Sequence, residues 1–109
     1  MAKFVKGDVV VIPFPFSDLS GSKRRPALVL ADLPGDDIIL CQITSQQNLD
    51  NFAIPLIHSD FVSGNLPIIS YIRPTRIFTA DKNMIIRISG SVDKSVSSKV
   101  AHLLSNLFK

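Results

Sequence analysis

A small, mainly β barrel closed by one C-terminal helix is the fold predicted by this 109-residue sequence. Short runs rich in Val, Ile and Phe recur along the chain, and seven prolines and five glycines are spread between them as punctuation. That rhythm belongs to short strands joined by turns. All nine acidic residues are Asp, a residue that favours turns over helix interiors. Only near the C-terminus does the apolar spacing change to that of a helix.

In chain order, strands are predicted over residues 9–14, 26–31, 38–44, 53–58, 68–73 and 84–89 from their β-branched and aromatic content. Six such strands fit a small barrel. Pro55 cannot donate to a ladder, so the fourth run is expected at a sheet edge or bulge. Leu33-Pro34-Gly35-Asp36-Asp37 is a turn. Val92, Val96, Val100, Leu103 and Leu107 recur at intervals of four, four, three and four, the stripe of an amphipathic helix. Ser91 or Asp93 can cap its start, and Gly90 marks the preceding turn.

Size and composition limit the functional classes. The chain is long enough for one domain, covering residues 1–109, with a core that needs no disulfide. A single cysteine, Cys41, excludes an intramolecular disulfide and any multi-cysteine metal cage, and one unpaired thiol fits a reducing, cytoplasmic setting. The longest apolar run has eight residues and two prolines, well short of the roughly 20 needed to span a bilayer, so no membrane partner is expected. Net charge is +3, and it is unevenly distributed: residues 1–60 carry −2 and residues 61–109 carry +5. A basic half can supply phosphate contacts.

Several motifs fail on spacing. Gly21-Ser22-Lys23 lacks the glycine five positions earlier that a phosphate loop requires, and its serine precedes the lysine. His58 and His102 stand 44 residues apart without metal-ligand spacing, so neither a metal nor another cofactor is expected. Strand parity is more informative. Cys41 alternates with Ile39 and Ile43, which makes it a buried, inert thiol. Thr44 shares the other face with Gln42 and puts a hydroxyl at a strand end beside a polar loop. Arg25 precedes Pro26, so it is biased to an extended backbone at the mouth of the second strand, where its planar fork suits phosphate oxygens. His58 shares parity with Ile54 and Leu56, which favours core or rim packing over acid–base work. Tyr71, Phe16 and Phe52 are read as packing residues before stacking platforms.

The stretch from Lys6-Gly7-Asp8-Val9 through Pro13-Phe14-Pro15-Phe16 to Lys23-Arg24-Arg25-Pro26-Ala27-Leu28-Val29-Leu30 resembles the N-terminal signature of the MazF/PemK/Kid toxins of type II toxin–antitoxin systems. Gln42-Ile43-Thr44-Ser45 resembles that family's strand-end Thr motif. Thr79-Ala80-Asp81-Lys82 resembles its Thr-x-Asp segment, and the C-terminal stripe resembles its last helix. Together these cover essentially the whole chain. The resemblance implies an SH3-like barrel, a homodimer, inhibition by a cognate acidic antitoxin, and metal-independent endoribonuclease activity on single-stranded RNA. Carried over by position, the catalytic residues are Arg25 and Thr44. RNA contacts are expected from Ser17, Lys23 and Arg24 in the first loop and from Arg73, Arg76 and Asp81 further on. Arg73 and Arg76 compete for the family's second arginine role. Asp18 is the one acidic residue in the first loop, where some relatives use such a group.

The implied chemistry needs no metal, because RNA carries its own nucleophile in the 2′-hydroxyl. Arg25 would stabilise charge on the phosphorane first and serve proton transfer second, since a guanidinium is a poor base. Thr44 would orient the phosphate or the hydroxyl. Two other readings compete: a degenerate member that only binds RNA or antitoxin, and a same-fold poison of DNA gyrase. The gyrase poisons rely on a tryptophan-bearing tail, whereas this chain has no tryptophan and ends Leu107-Phe108-Lys109.

Overall fold

The computed structural model describes residues 3–14, 23–46 and 51–109. Seven strands, β1 (Asp8–Phe14), β2 (Lys23–Asp32), β3 (Asp37–Thr44), β4 (Ile54–Leu56), β5 (Phe61–Gly64), β6 (Ser70–Asp81) and β7 (Arg87–Val92), precede one helix, α1 (Lys94–Leu107). They form a single curled antiparallel sheet, a half-barrel, in the order β4-β6-β3-β2-β1-β7-β5. The expected mainly β architecture with a C-terminal helix holds.

The consecutive apolar runs arise because both faces of the central strands are buried. Alternate residues Val9, Leu28, Cys41 and Ile43 join Ile54, Leu56, Ile72 and Val92 on one face, where Val96 and Val100 of α1 pack against them. Their neighbours Val10, Ile12, Ala27, Val29, Ile38 and Leu40 face the other way and form a second cluster with Phe4. A side-chain period of two thus feeds two cores from one sheet.

Four elements differ in detail from the sequence reading. Strand β5 is additional; its only apolar residues are the pair Phe61-Val62, three of its four residues are exposed, and it is held by its pairing with β7. Strand β6 runs on to Asp81, past a register shift: Cys41 pairs with Ile77 but Gln42 pairs with Arg73, which leaves Pro74, Thr75 and Arg76 as excess on β6. Gly90 lies inside β7 and not in a turn. Val92 ends β7 and Leu107 is exposed, so the buried side of α1 is Val96 and Val100, with Leu103 and Leu104 against the same cluster. Pro55 does sit on an edge strand, β4, which among the described residues pairs with β6 alone.

Of the two candidate caps, Asp93 starts the helix, accepting from the Ser95 amide at 3.1 Å and from the Ser95 hydroxyl at 2.6 Å. Those bonds hold its carboxyl below the ordinary carboxylate value, the Ser95 side chain contributing most. At the other end of the sheet Lys82 Nζ binds the carbonyls of Leu33 (2.6 Å) and Gly35 (2.7 Å) and the Asp32 carboxylate (2.9 Å). One ammonium therefore fastens the predicted 33–37 turn to the residues after β6.

Cys41 is fully buried, and burial pushes its thiol up to about 12. Because the folded value lies above that of the unfolded thiol, this group's contribution to stability is complete below about pH 9 and is lost as pH rises towards 12. Native protein is therefore expected to resist alkylation at neutral pH and to react at one site per chain in denaturant. Rapid labelling of the native protein would contradict the buried assignment.

Candidate active site

Three pairings assemble the site. Strand β1 sets Ile12 opposite Arg25, β2 sets Ala27 opposite Gln42, and β3 sets Gln42 opposite Arg73 and Thr44 opposite Tyr71. The β2–β3 register, carried two residues towards the strand end, brings Arg25 level with Thr44. Cross-strand neighbours share a face, with Cβ atoms about 5 Å apart. Arg25, Thr44 and Tyr71 thus form one row, and Ala27, Gln42 and Arg73 form the row behind it, on the face that carries the second cluster.

Local chemistry holds these groups in place. The Thr44 side chain is buried, and its hydroxyl oxygen accepts from the Gln46 amide at 3.2 Å, leaving the hydroxyl proton to be donated elsewhere. Arg25 is half-buried, and its Nε is enclosed with no hydrogen-bond partner among the described residues. An enclosed donor without an acceptor is costly unless a ligand supplies one. Arg73 is half-buried one row away.

The other expected site residues are scattered. Lys23 and Arg24 are exposed at the start of β2, opposite Phe14 and Pro13. Arg76 is exposed in the excess residues of β6, outside the Arg25 row. Asp81 lies at the far end of β6, eight residues from Arg73 and about 17 Å along the sheet, since their partners Asp37 and Gln42 stand five residues apart on β3, and it accepts from the Asn83 amide at 2.8 Å. Ser17, Phe16 and Asp18 lie outside the described residues. His58 is exposed in a 3-10 turn with its Nδ1 against Asn65 Nδ2 at 3.1 Å, which is rim packing. Phe52 is exposed and Tyr71 half-buried. Among the described residues no three His, Cys, Asp or Glu side chains gather into a metal-binding group, and no helix is long and apolar enough to cross a membrane.

Beside this row opens a pocket of about 460 Å³, lined by Arg24 and Arg25, by Val11 and Pro26, by residues 65–68 and by Arg87. Arg87 was missed in the sequence. It stands in an ordinary alternating strand, Ile86-Arg87-Ile88, and only the pairing of β7 with β1 brings it towards β2. The basic excess of the C-terminal half was the one available hint.

Among solved structures, a MazF from Deinococcus radiodurans in a MazE–MazF complex superposes with a TM-score of 0.74 at 21% identity, covering 94% of each chain. An endoribonuclease from a mycobacterial species gives 0.72 at 18% identity, covering 97% of this chain and 91% of its own. The same kind of enzyme bound to its cognate antitoxin gives 0.70 at 19%, covering 97% and 93%. At these identities the likeness shows the fold. No curated protein sequence matches the chain significantly. The family model for the PemK-like, MazF-like toxins matches residues 5–108, nearly the whole length. With its curled sheet, its helix and its sequence signature all in agreement, the chain belongs to the PemK-like, MazF-like toxins of type II toxin–antitoxin systems.

Proposed function

We propose that this toxin is an endoribonuclease that cuts single-stranded RNA selectively by sequence and without a metal ion. One observation carries the reading: the strand register aligns Arg25 with Thr44 on one face, with Arg73 in the next row. The RNA 2′-oxygen attacks the adjacent phosphorus, the O2′–P bond forms as the P–O5′ bond breaks, the 2′-proton departs and O5′ takes one up. The products are a 2′,3′-cyclic phosphate and a 5′-hydroxyl. Arg25 donates to the non-bridging oxygens, where charge builds, and its enclosed Nε, without a partner among the described residues, gives a donor that such an anion would complete. Thr44, fixed by Gln46, orients the phosphate through its free hydroxyl proton. Arg73, and not Arg76, takes the second arginine role because it shares the site face. Lys23, Arg24 and Ser17 lead the strand onward, while Asp81 acts at the far end of β6 as a local cap.

A homodimer is part of this reading, supported by the exposed apolar side chains of Val62 and Ile69. So is an acidic antitoxin whose tail covers the arginines and competes with RNA; similar proteins have been solved with antitoxins bound. Incubating purified protein with mixed-sequence RNA in EDTA is expected to give discrete fragments ending in cyclic phosphate. Intact RNA under those conditions, from folded protein, would overturn the proposal.

A further inference from the structure

We propose that Arg87, acting with Arg24, binds the RNA backbone phosphate next to the one held at Arg25. This rests on the ribonuclease reading and adds to it a contact surface that the strand-end row does not contain. The argument starts from β1, the strand between the two arginines. Val11 pairs with Pro26 on one side and with Arg87 on the other, so Pro26, Val11 and Arg87 form one row on one face. Arg24 lies two residues along β2 from Pro26 and therefore shares that face. Arg24 and Arg87 stand two interstrand spacings apart, about 10 Å across the sheet, with their long side chains on either side of a floor of Val11 and Pro26.

Arg25 also lines this pocket, although strand parity turns it to the opposite face with Thr44. It is the residue common to the strand-end row and the pocket, so a chain held at Arg25 continues naturally between Arg24 and Arg87. Among the described residues no acidic side chain lines the pocket, and no carboxylate pairs with Arg24, Arg25 or Arg87. Among the described residues these three guanidinium groups around one concavity have no counter-charge, an arrangement that calls for an anion with several negative centres. Pro67 and Ile68 supply an apolar wall against which a base can lie, a feature that a purely acidic peptide does not use.

The test uses the full chain and a mixed-sequence pool of 2′-O-methyl oligoribonucleotides, uncleavable because the nucleophile is blocked, with binding followed by anisotropy across a salt series. Arg87→Gln is expected to weaken binding about tenfold and to flatten the log–log salt slope by about 0.7, the contribution of one phosphate on a single strand. Arg87→Lys keeps the charge and should keep the slope while losing part of the affinity, because it lacks the planar fork. Both substitutions are at an exposed strand position, so the fold should tolerate them. If Arg87→Gln binds with unchanged affinity and slope while wild type cleaves RNA and Arg25→Ala does not, this assignment is wrong and the ribonuclease reading stands. If wild type neither binds the pool nor cleaves RNA, both fall. Weakened binding of a poly-aspartate peptide by Arg87→Gln, with RNA binding intact, would give the pocket to an acidic protein partner instead and also overturn the assignment.

Discussion

Arg25→Ala is expected to lower the cleavage rate by roughly 10² to 10³, the usual loss when one preorganised donor to a developing oxyanion is removed. The effect should be large because no described neighbour duplicates the position: Thr44 is uncharged, and Arg73 lies one row behind. Arg25→Lys should recover little, since an ammonium keeps the charge but cannot present two parallel donors to a phosphate. Stability should scarcely change, because the side chain is half-buried at a strand end and its Nε makes no bond among the described residues. Thr44 provides the companion test. Thr44→Ser keeps the hydroxyl that accepts from Gln46 and should retain most activity, whereas Thr44→Ala loses it. Cleavage assays paired with thermal melts separate the two outcomes, and a folded Arg25→Ala protein cutting RNA at the wild-type rate would refute the catalytic assignment.

Gly64→Ala is expected to destabilise the protein by about 3 kcal/mol or more, which for a domain of this size lowers the melting temperature by at least about 10 °C. Gly64 has φ +62°, and a Cβ there would stand 2.1 Å from the Ser89 carbonyl oxygen and 2.7 Å from the Gly90 Cα. Both obstacles are backbone, so no side chain can swing aside. A Cβ on Gly90 would in turn meet the Ser63 carbonyl oxygen at 2.5 Å. The two glycines let β5 and β7 approach closely, and that approach anchors the segment 65–70 that walls the arginine pocket. Calorimetry with an RNA-binding assay checks this. A Gly64→Ala protein that melts like wild type would show that β5 does not pack on β7 as described.

The residues themselves determined the mainly β class, the C-terminal helix, the edge position of Pro55, the buried Cys41, and Arg25 and Thr44 as strand-end residues. These are local properties: side-chain alternation, ring constraints and composition act within a few residues of themselves, so a linear reading contains them. The likeness of Lys6–Leu30 and of the later motifs to the toxin family added the expected chemistry, and the family model matches residues 5–108. Register and strand order could not be read in this way, because pairing energy depends on residues far apart in the chain. Gln42 meets Arg73 instead of a residue three further on because β6 absorbs Pro74, Thr75 and Arg76 as excess, and this is what separates Arg73 from Arg76. Strand β5, with three of four residues exposed, has only the short Phe61-Val62 pair as an apolar signal, and Gly64 and Gly90 allow it to dock on β7. Asp81 follows a conspicuous motif yet ends at the far side of the sheet from Arg25, since a strand of twelve residues carries its two ends apart. Arg87 carries no motif at all, and it reaches the pocket only because β7 adds to the free side of β1, placing residues more than 60 positions apart in sequence around one concavity.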